Sequence, residues 1–307
     1  MQDKLIVVLG PTASGKTGLA IKLAKEFNGE IVSADSRQIY KGMDIGTAKP
    51  LDLEGVPHHL LDIKTPNENY AVAEYKADAV KAIQDILSRG KLPILAGGTG
   101  LYIKAVVENL DIPKVEADVV LRKKIEKDIE ENGLDFVFNQ LIELDPETAY
   151  IVDPKNPRRV IRALEVTLLT HKPFSEQRKH GNPLFDVLEL GISVPKEQLK
   201  TRINTRVDEM EKQGLVDEVK NLIAEYPPKT GEAGGANQQA FDAIGYREII
   251  EFLGEKITLP QALENMKMNT WHFAKRQMTW FKKDQKIHWI SNYKEAERLI
   301  ENFLRAK

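Results

Sequence analysis

Residues 10–17 read GPTASGKT, the spacing G-x-x-x-x-G-K-[S/T], and that spacing is specific to one chemistry. It lies between a β-branched apolar run, residues 4–9, and a segment in which Leu19, Leu23 and Phe27 recur at helical spacing. In such a strand–loop–helix unit, Gly10, Pro11, Thr12, Ala13, Ser14 and Gly15 form a loop whose backbone N–H groups converge on an anion. Lys16 supplies a point charge, the helix N-terminus adds positive potential, and the Thr17 hydroxyl can hold Mg²⁺. The loop implies a bound di- or triphosphate without saying whose, and by motif alone it would be an ATP site.

An ATP-using enzyme of this kind adds a carboxylate at the end of a second strand to hold its Mg²⁺. Here the strand-like run 92–96 passes straight into Gly97-Gly98-Thr99-Gly100. Asp62, in HLLDI, is the remaining strand-end acid of that type. A different carboxylate stands out: Asp35 opens Asp35-Ser36-Arg37-Gln38 at the C-terminal end of the run 31–34, where open α/β sheets bind their ligands. ATP chemistry loses ground and a catalytic acid or base gains it. The histidine pair His58-His59 sits at a strand start with no metal-ligand spacing and reads as structural.

The elements that position these groups alternate. Strands are expected at 4–9, 31–34, 59–63, 92–96, 185–194 and 286–290, with helices at 17–27, 71–88, 196–224, about 239–253, about 260–283 and at the C-terminus. That alternation implies α/β: a P-loop, nucleotide-kinase-like parallel sheet core. Between 113 and 182 the strand signals stop, and charged amphipathic helices broken at Asn132-Gly133, Asp145-Pro146 and Asn156-Pro157 read as a helical insertion domain. The expected division is a core of 1–112 and 183–307, with a helical arm at about 207–283, and an insertion of 113–182.

At 307 residues, 42% hydrophobic and 29% charged, with a formal charge of −2, the chain has the composition of a folded soluble protein. It has no cysteine, which excludes disulfides and thiolate metal sites and suits a cytoplasmic protein. No apolar run approaches the ~18 residues of a membrane span, so neither a membrane segment nor a signal peptide is expected.

Five segments, in order over about residues 5–285, carry a resemblance: GPTASGKT, DSRQIYKGMDIGTAKP (35–50), GGTGLY (97–102), PRRVIRALEV (157–166) and RINTRVDEM (202–210). Together they resemble the tRNA isopentenyltransferase family in its bacterial, zinc-finger-free form. The resemblance implies that the P-loop holds the diphosphate of dimethylallyl diphosphate, with Mg²⁺ on Thr17. The acceptor it implies is N6 of the adenosine immediately 3′ of the anticodon in tRNA. Asp35 would be the base, with Thr99 and an arginine on the diphosphate. Arg202 and Arg206, at i and i+4 on one helix face, are the two candidates, Arg206 slightly favoured. Ser36, Arg37 and Gln38 would touch the flipped adenosine.

Net charge near zero hides a basic stretch. From 155 to 179, Lys155, Arg158, Arg159, Arg162, Lys172, Arg178 and Lys179 face only Glu165 and Glu176. By the resemblance, Arg158, Arg159, Val160, Ile161 and Arg162 contact the anticodon stem-loop, with Leu101, Lys123 and Gly245-Tyr246-Arg247 as further tRNA contacts. The stretch 267–286 interleaves Trp271, Phe273, Trp280 and Phe281 with Lys275, Arg276, Lys282 and Lys283, and its spacing reads as helix packing ahead of RNA stacking. The tip GEAGGAN (231–237) departs from the family. Competing readings are a P-loop small-molecule kinase, supported by VPKEQLKTRINTR, a prenyltransferase of free adenine nucleotides, and a nucleotide-gated RNA-binding module. The basic insertion argues for tRNA, and a monomer is the default expectation.

Overall fold

In the computed structural model, Asp3–Leu9 (β1) places Leu5 to Leu9 in the interior without a polar interruption, as a strand covered on both faces must. The structure describes residues 2–50, 52–113, 115, 117–177, 181–227 and 236–306. Strand Gly29–Ala34 (β2) is buried throughout, and His58–His59 (β3), Leu92–Gly97 (β4), Phe185–Ile192 (β5) and His288–Ile290 (β6) complete one sheet. Its order is β3-β2-β4-β1-β5-β6 and the pairings are parallel. Side chains alternate across it. Leu5, Val7 and Leu9 face one core, while Ile6 and Val8 face the other.

The first of these cores is covered by Val72–Ser88 (α2), Gly100–Val107 (α3), Lys196–Lys212 (α7), Leu215–Glu225 (α8), Tyr246–Leu253 (α10) and Leu259–Phe281 (α11). The second is covered by Lys16–Glu26 (α1) and Tyr293–Arg305 (α12). Caps fix several starts: the Thr258 hydroxyl accepts from Gln261 N, and the Asn292 side chain from Glu295 N.

Three expectations change. The strand expected at 59–63 stops at His59, because Leu60 and Asp62 take left-handed conformations (φ 64° and 54°) and turn the chain away. The helix expected over 196–224 breaks at Gly214 (φ 97°). The one expected over 239–253 divides into Ala236–Phe241 (α9) and α10 at Gly245 (φ 99°), a backbone angle no α-helix holds.

A second compact unit gathers residues 108–182, whereas the sequence places the insertion's start at 113. It contains Val119–Asn132 (α4), Leu134–Leu144 (α5) and Pro157–Thr170 (α6), around a core of Ile125, Val137, Leu141, Val160 and Leu164. Its breaks fall at Gly133, Asp145-Pro146 and Asn156-Pro157, where the Asn156 side chain caps α6. Among the described residues no helix is long and apolar enough to cross a membrane.

Candidate active site

Register decides which loops meet. Leu9 pairs with Gly97 and with Gly191, and Ala34 also pairs with Gly97, so the chain after β1, β2 and β4 emerges at one edge carrying Gly10, Asp35 and Gly98. Gly97 has to be glycine. A Cβ there would fall 2.2 Å from the Ala34 carbonyl oxygen.

The P-loop turns through left-handed Ala13 (φ 62°) and Gly15 (φ 94°), and Ser14 N donates to Pro11 O at 3.2 Å. Lys16 Nζ lies 3.4 Å from Pro11 O. Desolvation pushes its ammonium down to about 8; Asp35 opposes that shift and Arg206 adds to it, which places all three charges in one electrostatic neighbourhood. Arg202, four residues before Arg206 on α7, donates to Ser14 O at 3.2 Å. Burial also holds the Arg206 guanidinium below its ordinary value. The Ser14 hydroxyl is buried without a hydrogen-bond partner, as a cradle for an oxygen-rich ligand would leave it.

Asp35 accepts from Arg37 N at 2.9 Å, an Asx turn that fixes its carboxylate. Thr99 Oγ1 accepts from Ser36 N at 3.0 Å, while Thr99 N donates to Ala34 O at 3.1 Å. Gln38 donates to the Thr47 and Ala48 carbonyls, and Arg37 to Gln239 O. Asp35, Ser36, Arg37, Thr99, Thr12 and Arg206 line one cavity of about 480 Å³, whose wall also includes Ile203, Val207, Met210, Met266 and Phe273. A smaller cavity of about 30 Å³ joins Lys16 and Thr17 to Asp35 and Gln38. Cation donors for an anion, a carboxylate and an apolar wall thus share one site.

A family model described as IPP transferase matches residues 38–284. The chain belongs to this family. It is 45% identical to the tRNA dimethylallyltransferase of Acetivibrio thermocellus, over 98% of this chain and 96% of that one. To that of Carboxydothermus hydrogenoformans it is 44% identical, over 99% and 97%. Among solved structures, the tRNA isopentenylpyrophosphate transferase of Bacillus halodurans superposes with a TM-score of 0.70 at 38% identity, covering 99% of this chain and 96% of that one. A eukaryotic dimethylallyltransferase acting on tRNA gives 0.75 at 31% identity, over 94% of this chain and 74% of that one.

Asp62, the acid that an ATP-using enzyme would have needed, pairs with buried Lys49 at 2.5 Å and holds the 44–49 loop. His58 Nδ1 donates to Val56 O and His59 Nε2 to the Glu30 carboxylate, so both rings have structural partners. Among the described residues no cluster of His, Asp or Glu could hold a metal. The Thr17 hydroxyl, which shares the smaller cavity with Lys16 and Asp35, is a hard oxygen donor of the kind Mg²⁺ takes.

The family's tRNA-contact positions divide by accessibility. Leu101, Lys123, Arg158 and Arg159 are exposed. Val160 is fully buried in the insertion's core and Ile161 packs against it, so the Val160 side chain cannot serve as an RNA contact. Arg162 is already engaged: it donates to Glu165 at 2.6 Å and to Val115 O at 2.8 Å. Tyr246 is also fully buried. Its hydroxyl donates to Glu218, which accepts the N–H groups of Asp44, Ile45 and Gly46, so Tyr246 shapes that loop from within. Gly245 N donates to Glu248, and Arg247 pairs with Glu248 while lining the larger cavity. Arg178, Lys179 and residues 231–235 of the GEAGGAN tip lie outside the described residues.

Sequence reasoning took 267–286 as packing first. Ala274, Gln277 and Phe281 are buried as that implies, yet Phe273 and Trp280 are exposed, and His272, Lys275, Arg276 and Lys283 line a basic hollow with Trp280. It missed Gln277. On an amphipathic helix a lone buried glutamine gives no signal beyond its position in the repeat.

Proposed function

We propose that this chain transfers the dimethylallyl group of dimethylallyl diphosphate to N6 of the adenosine immediately 3′ of the anticodon in tRNA, releasing diphosphate. The observation that carries the reading is that Asp35 lines both the small cavity holding Lys16 and Thr17 of the P-loop and the larger, partly apolar cavity holding Thr99 and Arg206.

The C1–O bond of the donor breaks with its electron pair leaving on the diphosphate, while the N6 lone pair forms the new bond to C1 and the N6 proton passes to the Asp35 carboxylate. An exocyclic adenine amine is a weak nucleophile, so a positioned carboxylate lowers the barrier. Negative charge grows on the diphosphate as the bond breaks. P-loop amides, Lys16 and Arg206 therefore stabilise the transition state more than the ground state, with Arg202 bracing the loop through Ser14 O. Thr99, by accepting from Ser36 N, holds the acceptor loop against β4. Mg²⁺, held by Thr17 and the diphosphate, supplies further charge neutralisation when bound. Ser36, Arg37 and Gln38 meet the flipped adenosine, and exposed Arg158, Arg159 and Lys123 meet phosphates of the anticodon stem-loop. The chain acts as a cytoplasmic monomer.

The test is incubation with Mg²⁺, unmodified tRNA and labelled dimethylallyl diphosphate, then digestion and mass analysis for N6-prenylated adenosine. The product should form and be lost on Asp35→Ala. ATP turnover on a small acceptor without label in tRNA would overturn the reading in favour of a kinase.

A further inference from the structure

Gln277, more than nine-tenths buried on α11, uses both ends of its amide on the two loops that build the site. Its Oε1 accepts from Thr12 N at 2.8 Å, and its Nε2 donates to Gly98 O at 2.8 Å. The orientation is dictated by the partners, because a backbone N–H can only donate and a carbonyl can only accept. Gly98 is shaped to receive it. A Cβ on Gly98 would fall 2.4 Å from Gln277 Nε2, but only within ordinary contact, 3.5 Å, of Gly10 O and Lys16 Cε. One turn further along α11, Trp280 takes the same place over Gly100: a Cβ there would fall 2.4 Å from its indole. The glycines of Gly97-Gly98-Thr99-Gly100 thus form a platform: Gly97 admits β2, and Gly98 and Gly100 admit α11.

We infer that Gln277 is a positioning residue that clamps the P-loop to the Gly98–Thr99 loop and so sets the distance between the leaving diphosphate and the Asp35–Thr99 acceptor side. The inference rests on the function proposed above. In that reaction the donor carbon and N6 are held by different loops, the donor by the P-loop and the acceptor by the loop that Thr99 anchors. A clamp between the loops orients two bound substrates without adding to the binding of either. Displacements of about 1 Å in such a geometry cost up to ~10²-fold in rate.

The test compares wild type with Gln277→Met, which keeps the volume and removes both hydrogen bonds, and with Gly98→Ala, which evicts the Gln277 amide from the opposite side. Single-turnover prenyl transfer at saturating tRNA, dimethylallyl diphosphate and Mg²⁺ is measured beside the Kd for each substrate. Each variant should lose ~10–100-fold in rate, with each Kd within ~3-fold of wild type. The double variant should be no slower than the worse single one, since both break the same clamp. Transfer by Gln277→Met or Gly98→Ala within 2-fold of wild type, a loss confined to Kd, or multiplicative losses in the double variant would overturn the inference. If Gln277→Met does not fold, Gly98→Ala alone decides by the same criteria. Wild type that transfers no prenyl group would instead overturn the proposed function.

Discussion

The loops at the sheet edge and the basic face of the insertion both concentrate charge, but they hold it differently. At the sheet edge the cations are partly desolvated and aimed at one another's field: Lys16 sits within reach of both Asp35 and Arg206, and its ammonium is pushed down to about 8. In the insertion, the fully buried Glu165 takes bonds from Arg122 and Arg162, while the side chains of Arg158 and Arg159 are exposed. Under the proposed function the first region keeps its charges for chemistry, where an unneutralised cation is useful to a leaving diphosphate. The second spends part of its charge on its own fold and leaves the remainder outside. A basic stretch is therefore not one surface. Residues three and four apart on α6 divide into a structural brace and an exposed pair.

The largest expected effect tests the sheet edge. Asp35→Asn keeps an oxygen for the Arg37 N–H and removes the proton acceptor, so turnover should fall by ~10²–10⁴-fold with tRNA affinity unchanged. Rate retention within 10-fold would mean that another group takes the N6 proton.

The insertion's brace should show next, in stability rather than rate. Glu165→Gln leaves two guanidiniums against a neutral amide. The loss should be about 2–3 kcal/mol, below the ~3–5 kcal/mol of a broken buried pair because both arginines are about a third exposed. Burial works to raise the Glu165 carboxyl, and bonds from Arg122 and Arg162 outweigh it and hold it below the usual carboxylate value. The unfolded state thus binds the proton more readily. The stability this carboxylate contributes is complete above the unfolded value near 4 and is lost as pH falls through the lower folded value. Urea unfolding followed in wild type and variant should converge in acid and separate at neutral pH.

How these residues read in the sequence follows the same division. That the P-loop, Asp35 and Thr99 come together was legible because each follows a strand, and register delivers those strand ends to one edge. The parallel sheet was legible from its apolar runs. The structural partners of Tyr246 and Arg162, Glu218 and Glu165, were not legible because they are identified by packing and not by spacing. The end of β3 was missed for a similar reason: the turn at Asp62 is held by Lys49, thirteen residues away in sequence. Gln277 was invisible because its two partners lie 265 and 179 residues off.

A smaller effect separates the arginines of α6 by salt. Arg158→Ala with Arg159→Ala should weaken tRNA binding by ~10–30-fold and lower the slope of log K against log salt by ~1 for each phosphate that is no longer neutralised. The melting temperature should change less than in Arg162→Ala, whose partner Glu165 is fully buried. Arg162→Ala should instead destabilise the insertion, since it strips one partner from buried Glu165. If both variants lost affinity alike without loss of stability, the division between brace and exposed pair would fail.

The smallest effect bears on the sheet edge alone and has a sign that can be worked out beforehand. Burial pushes the Lys16 ammonium down to about 8, below an ordinary lysine, so the unfolded chain binds more protons between those values and this group makes stability rise with pH across that window. A bound diphosphate favours the ammonium and reverses the preference. Binding then takes up a proton above pH 8, and affinity for dimethylallyl diphosphate should fall by up to ~10-fold per pH unit there. The two trends run in opposite directions from one group. Calorimetric titration of the diphosphate at pH 7.5, 8.5 and 9.5 should show the loss, and Lys16→Arg, which stays charged, should flatten it. A slope that survives in Lys16→Arg would place the titration on another group and remove Lys16 as the charge the cradle holds in reserve.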